Sequence, residues 1–157
     1  MESINEILTK HLENIKKQIA QQMSSNNRNA TGRSVSSMTV EVSGNHGILW
    51  GSKSFVAMEK GRGPGKVPYG FFDIIYDWAK AKRITPKTTN KNQAPDGALR
   101  SFAGAVAYTI MNKGTVLFRQ GKFNDIYTTA INKELEVLSN EILLVSANII
   151  DNINKNL

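Results

Sequence analysis

The first segment of the chain has a clear apolar period. Ile4, Ile7, Leu8, Leu12, Ile15, Ile19 and Met23 recur at steps of three and four, with Lys, Glu and Gln between them. That spacing puts one apolar stripe on a helix. Ser3-Ile4-Asn5-Glu6 fits the capping box, in which the serine and the glutamate satisfy each other's free N–H groups. The pattern predicts a helix over 3–23, packed by its stripe on its own core or also on a neighbouring subunit. Residues 24–34, from Ser24 to Ser34, carry no core-forming side chain and read as a linker.

The period then changes to two. Met38, Val40 and Val42 face one side and Thr39, Glu41 and Ser43 the other, which predicts a half-buried strand over 36–43. Gly44-Asn45-His46-Gly47 supplies a turn. Ile48-Leu49-Trp50 starts a return strand, and Ser54 to Glu59 reads as a third short run, giving an antiparallel meander. Gly61-Arg62-Gly63-Pro64-Gly65-Lys66-Val67-Pro68 excludes both helix and strand. Gly70 to Arg83 reads as a helix through Phe71, Phe72, Ile74, Ile75, Trp78 and Ala79, with Lys80, Lys82 and Arg83 at the end where cations suit the helix dipole.

Residues 85–98 form a second polar loop. Leu99 to Lys113 reads as a helix whose small residues, Ala103, Gly104, Ala105 and Ala107, admit a close neighbour, and Gly114 is its stop. Val116 to Gly121 reads as a short extended piece. Phe123 to Asn154 reads as one long helix with Phe123, Ile126, Tyr127, Ala130, Ile131, Leu135, Leu138, Ile142, Val145, Ile149, Ile150 and Ile153 on its apolar side. At about 1.5 Å per residue it runs past about 40 Å, long enough for its end to project onto another subunit. The expected class is α+β, a small antiparallel sheet flanked by helices, with a long N-terminal and a long C-terminal helix. We read 1–157 as one domain, with a helix over 3–23, a linker over 24–34, a core over 35–121 and the C-terminal helix over 122–157.

Composition narrows the chemistry. There is no cysteine among the 157 residues, so there is no disulfide, thiolate metal site or cysteine nucleophile. The two histidines, His11 and His46, are far apart in sequence, which argues against a histidine-rich metal site. No run of about 18 apolar residues predicts a transmembrane helix, and the acidic, polar N-terminus does not read as a signal peptide. The net charge of +7 is concentrated in residues 53–91, where nine basic side chains face Glu59, Asp73 and Asp77. Such a patch attracts phosphate or an acidic protein surface, or is simply a solvated face.

The glycine-rich loop is not a nucleotide cradle. The Walker pattern needs a glycine five residues before Gly65 and a Ser or Thr after the lysine; here those positions are Lys60 and Val67. G-x-G-x-x-G fails at Lys66. Asp73 and Asp77 share a helix face, but Lys80 makes surface pairing the simpler reading. No G-x-S-x-G elbow occurs, and His46 reads as a turn residue. The aromatics of the basic segment, Phe71, Phe72, Tyr76 and Trp78, are spaced as core rather than as stacking platforms.

Four segments carry a resemblance. Thr31-Gly32-Arg33-Ser34-Val35-Ser36-Ser37-Met38 resembles T-G-x-L-x-x-S-(I/M) leading into a first strand. Phe55 to Gly63 resembles Y-(A/V)-x-x-x-E-x-G-(T/R)-G. Val67-Pro68 with Ile74 to Ile84 resembles P-x-x-x-I-x-x-W-(V/A)-x-x-K-G-I. Phe102 to Thr115, then Phe123 and Ala130, resembles A-x-x-I-x-x-K-I-x-x-x-G-T followed by F-(F/x)-x-A. Over about residues 30–135 the chain resembles the head–tail joining and tail-completion proteins of tailed bacteriophages, the neck, tail-terminator and minor tail group. Ser34 stands where leucine is usual, and Arg83 where the helix often ends in glycine.

The resemblance implies a non-enzymatic virion protein with no cofactor, forming a homo-oligomeric ring at the neck or tail junction after assembly in the host cytoplasm. Its partners would be itself, the portal or adaptor and the tail tube or other neck proteins, with transient contact to genomic DNA and none to membrane. Gly61, Gly63, Pro64, Gly65 and Pro68 would form a docking loop. Lys60, Arg62, Lys66, Lys80, Lys82 and Arg83 would meet a neighbouring subunit or the DNA path. The 24–34 and 85–98 loops would order on assembly. The alternatives are a basic DNA-binding accessory protein and, further off, a small hydrolase.

Overall fold

The computed structural model describes residues 3–26, 28, 30–87 and 94–155. The order is α1 (Ile4–Ser25), α2 (Arg33–Ser36), β1 (Thr39–Ser43), β2 (His46–Trp50), α3 (Ser54–Lys60), α4 (Phe71–Ala81), α5 (Pro95–Lys113), α6 (Val116–Arg119) and α7 (Thr128–Lys155). The class is α+β, with a two-stranded antiparallel sheet and long helices at both ends. The chain divides into two compact units. Unit 1 comprises residues 1–28, 33–55 and 125–157, and unit 2 comprises 29–32 and 56–124. The chain crosses between them after Arg28, after Gly32, within α3 and after Asn124.

In unit 1, α1 starts on the capping box. Ser3 N donates to Glu6 Oε2 at 2.7 Å and Glu6 N to Ser3 Oγ at 3.3 Å. Its buried face is Ile7, Leu8, His11, Ile15, Ile19 and Met23, set against β1, β2 and α7. Each such aliphatic side chain contributes about 1.5–3 kcal/mol by leaving water. The hairpin pairs Thr39 with Trp50 and Ser43 with His46. Gly44 takes φ +57 at the first position of its two-residue turn, the position that needs left-handed backbone in a II′ turn. The turn is therefore Gly44-Asn45, and His46 belongs to β2. Val40 and Val42 are half-buried, and Thr39, Glu41 and Ser43 exposed, as the alternation requires, but the strand begins at Thr39 rather than Ser36, because Arg33–Ser36 is the helical turn α2.

In unit 2, α4 packs on α5. Ala79, Ala98 and Ala103 are buried, and the Phe72 ring lies 3.7 Å from where a Gly104 Cβ would stand. The small residues of α5 thus admit α4. Tyr76 and Arg100 tie the same pair together. The Tyr76 hydroxyl and Arg100 Nε both donate to Asp96, the latter at 2.8 Å, and the guanidinium lies 4.8 Å from the Tyr76 ring centre.

Several local expectations are corrected. The run at Ser54–Glu59 is helix, not a third strand, so the meander is a hairpin. Its two buried residues, Phe55 and Glu59, are four apart, a helical spacing that the short apolar run Phe55 to Met58 conceals. Val116–Arg119 is a helical turn rather than an extended piece, opened by Thr115, whose Oγ1 accepts from Phe118 N. α5 begins at Pro95, four residues before Leu99, because proline suits the first helical position. α1 runs on to Ser25. α7 begins at Thr128, not Phe123. Asn124 is engaged instead, its N donating to Glu59 O at 2.7 Å and its Nδ2 to Met58 O at 2.9 Å. Of the two expected loops, residues 27, 29 and 88–93 lie outside the described residues.

Candidate functional site

The glycine–proline loop is held from one side by the turn between α5 and α6. Arg62 N donates to Thr115 Oγ1 at 2.9 Å, Thr115 N to Arg62 O at 2.8 Å, and Gly65 N to Met111 O at 2.8 Å. Two glycines make this approach. Gly61 sits at φ +76, and a Cβ there would stand 2.5 Å from Phe118 N; Gly114 sits at φ +76, and a Cβ there would stand 2.6 Å from Arg62 O. Two backbone segments therefore touch where any side chain would part them. Gly63 lies on the Phe118 ring. Pro64, Gly65 and Pro68 are exposed, so the loop shows a rigid rim.

The basic residues separate into three situations. Lys60, the last residue of α3, and Lys66 on the loop are exposed. Arg62 turns inward; its Nη2 donates to Lys66 O, and its guanidinium lies 5.8 Å from the Phe71 ring centre. It closes the loop rather than presenting charge. Lys80, Lys82 and Arg83 stand at the far end of α4, about 16 Å along an eleven-residue helix from the loop. The expected cluster is thus two patches, one at each end of α4.

Arg83 has an unusual backbone, the one non-glycine residue with positive φ among the described residues, at +53. Arg83 N donates to Lys80 O at 3.0 Å and Ile84 N to Ala79 O at 3.0 Å. Those bonds are the Schellman pair that ends a helix on a left-handed residue, usually glycine. An arginine here holds a cation beside the last carbonyls of α4 at the expense of backbone strain.

Beside the loop lies an apolar groove of about 420 Å³, with Pro68, Phe71, Phe72, Ala107, Tyr108 and Met111 in its walls. Tyr69 at its edge is fully exposed and Tyr108 is 67% exposed. A second cavity of about 390 Å³ lies at the other end of α4, between Tyr76, Lys80, Ile84, Pro86 and the start of α5. The hydrogen bond to Asp96 pushes the Tyr76 phenol up, and the Tyr76 and Arg100 donors hold the Asp96 carboxyl down.

Unit 1 contains a polar cluster that sequence reasoning missed. His11 is 2% exposed. Its Nδ1 lies 2.8 Å from Glu134 Oε1 and its Nε2 2.8 Å from Glu141 Oε2. Asn14 and Gln18 also donate to Glu134, at 3.1 and 2.9 Å, and Lys10 donates to Glu141 at 2.7 Å. A carboxylate only accepts, so both contacts are met when both ring nitrogens carry hydrogen. His11 then has no nitrogen free for a substrate or metal. Burial pushes the Glu134 carboxyl up, but donors from Asn14, His11 and Gln18 outweigh it and leave the group below the usual glutamate range. Hydrogen bonds from Lys10 and His11 hold Glu141 down as well. Among the described residues no group of three metal-ligating side chains is placed to hold an ion, and no described helix is long and apolar enough to cross a membrane.

Comparison of the chain with protein-family models, curated proteins and solved structures gives no match.

Proposed function

We propose that the chain is a structural virion protein, a ring-forming subunit of a phage neck or tail junction, and not an enzyme. The observation that carries this reading is the loop 61–68 with the groove beside it. A loop fixed by Thr115, Met111 and Phe118 is ordered before any partner arrives, so docking costs little entropy. The groove wall is apolar and edged by exposed tyrosines, a composition that suits a protein surface. Lys60 and Lys66 beside it steer an acidic neighbour. The phage assignment rests on the residue patterns over about 30–135.

The partners under this reading are further copies of the chain, a portal or adaptor ring and tail-tube or other neck proteins, inside the virion. The test is the mass of the purified protein together with its presence in purified particles of the phage that encodes it. A closed oligomer present in particles supports the reading; a strict monomer absent from them overturns it.

One observation favours a second reading, a DNA-binding accessory protein. Unit 2 carries twelve basic and four acidic side chains, and Trp78 is 39% exposed on the helix that ends in Lys80, Lys82 and Arg83. That reading requires duplex binding that weakens steeply with salt.

A further inference from the structure

The groove beside the loop carries positive charge at one end and an acid at the other. It lies wholly in unit 2, between the start of α4 and the last turns of α5. The two helices run antiparallel, since Tyr76 bonds to Asp96 while Phe72 lies by Gly104. One end of the groove is the seam where Gly65 N donates to Met111 O at 2.8 Å. Lys66 follows Gly65, Lys113 lies two residues beyond Met111, and both are exposed. Arg62 joins them, with its Nη2 on the Lys66 carbonyl and its guanidinium over the Phe71 ring. The other end is at Gly70, where Asp73 Oδ2 lies 3.8 Å from the place of a Gly70 Cβ.

Between these ends the floor is apolar. Phe71, Phe72 and Met111 line it, and Gly104 and Ala107 put no long side chain into it. Its volume of about 420 Å³ falls among pockets that enclose a ligand, which run from about 300 to 1,000 Å³. Tyr69 and Tyr108 stand exposed at the rim, and tyrosine around an apolar floor suits contact with protein.

This layout names the occupant. The floor takes a large apolar side chain. The cations at the loop end favour acidic residues there, and Asp73 disfavours them at the Gly70 end. The charge of the partner is therefore set on one side of its anchor. A single-stranded nucleic acid fits less well, because its phosphates need cations along the whole groove and its bases need open ring faces. Here the cations stand at one end, and one face of Phe71 is taken by Arg62.

We propose that this groove is the docking site for an extended segment of another protein, which seats a large apolar side chain between Phe72 and Met111 and sets acidic residues against Lys66 and Lys113. The proposal rests on the docking role given to the groove above and names its occupant. It is separable from the ring, because peptide binding is read on the free chain and ring closure is read from mass.

Full-length protein is immobilised and used to select from a library of random peptides. The pool should become rich in peptides with Leu, Phe, Trp or Met flanked on one side by Asp and Glu. A selected peptide carrying fluorescein should bind about tenfold more weakly to the Lys66→Glu, Lys113→Glu double variant and to Tyr108→Ala, and more weakly at high salt. Lys133→Glu, exposed on α7, should bind it like wild type. Each variant changes an exposed side chain, so helical content should match wild type by circular dichroism. A pool of basic or uncharged sequences, or no enrichment at all, overturns the proposal, and so does a peptide whose binding survives both the lysine and the tyrosine variants. Oligothymidine that binds wild type but not Tyr108→Ala, with no peptide selected, assigns the groove to single-stranded nucleic acid instead.

Discussion

In unit 1 eight basic side chains face nine acidic ones, and the buried His11 and Glu134 are bonded to one another across α1 and α7. In unit 2 twelve face four, and Lys60, Lys66, Lys80 and Arg83 stand on the surface. The whole excess of +7 thus comes from the second unit. The first uses charge to fix two helices in register; the second turns it outward. Arg62 is the exception that sharpens the contrast, since it spends its guanidinium on the Lys66 carbonyl and the Phe71 ring. Formal charge therefore locates a surface only after each cation's partners are known.

The largest expected effect lies in unit 1. Glu134→Leu strands the buried His11 Nδ1 and takes the acceptor from Asn14 and Gln18, and should cost about 3 kcal/mol, read as a lower urea midpoint. His11→Leu combined with Glu134→Leu should recover part of that loss, because an apolar pair leaves fewer orphaned groups. A double variant as weak as the sum of the singles would mean that the groups do not act as one network.

Next comes the loop. Gly61→Ala forces a side chain into left-handed backbone against Phe118 N. It should destabilise unit 2 by about 2 kcal/mol, measured by hydrogen exchange at Arg62 and Thr115. Unchanged protection there would mean that the loop is not fixed by this approach.

Acid should act on unit 1. Glu134 and Glu141 bind protons less readily folded than unfolded, so their stabilisation is complete above the ordinary glutamate value near 4.5 and is lost as pH falls through the lower folded values. Thermal melts from pH 7 to pH 3 should show a steeper acid loss in wild type than in Glu134→Gln. Equal slopes would remove the network from the account.

The smaller effects belong to α4. Arg83→Gly relieves the left-handed residue and should stabilise by about 1 kcal/mol in chemical denaturation. Lys66→Glu and Lys80→Glu, at exposed positions, should change stability by less than about 0.5 kcal/mol. Their effect should fall on assembly.

Much of this fold was legible in the sequence where local rules decide. Ser3 and Glu6 cap α1, the alternation of β1 sets its faces, and Gly44-Asn45 turns the hairpin. α3 was not legible because four consecutive apolar residues, Phe55 to Met58, suit either period, and Glu59, its decisive position, is an acidic residue buried at 2% exposure. The start of α7 was hidden because Asn124 serves α3, 66 residues earlier in the chain. The loop was legible as stiff, yet the inward turn of Arg62 depends on the Lys66 carbonyl and Phe71, which its own residue type does not announce. The histidine–glutamate network joins residues 123 apart. Its signal was present, since His11 interrupts the apolar stripe between Leu8 and Ile15 and Glu134 interrupts that between Ala130 and Leu138, but either interruption alone reads as a tolerated polar residue.

The central claim is that unit 2 turns its charge and its fixed loop outward for assembly. The most direct test is the mass of the purified chain by light scattering, for wild type and for the Lys66→Glu, Lys80→Glu, Arg83→Glu triple variant, at low and high salt. The account predicts a closed oligomer larger than a dimer for wild type at low salt, lost in the triple variant while its helical content stays unchanged. Wild type and triple variant of equal mass under both conditions would contradict it.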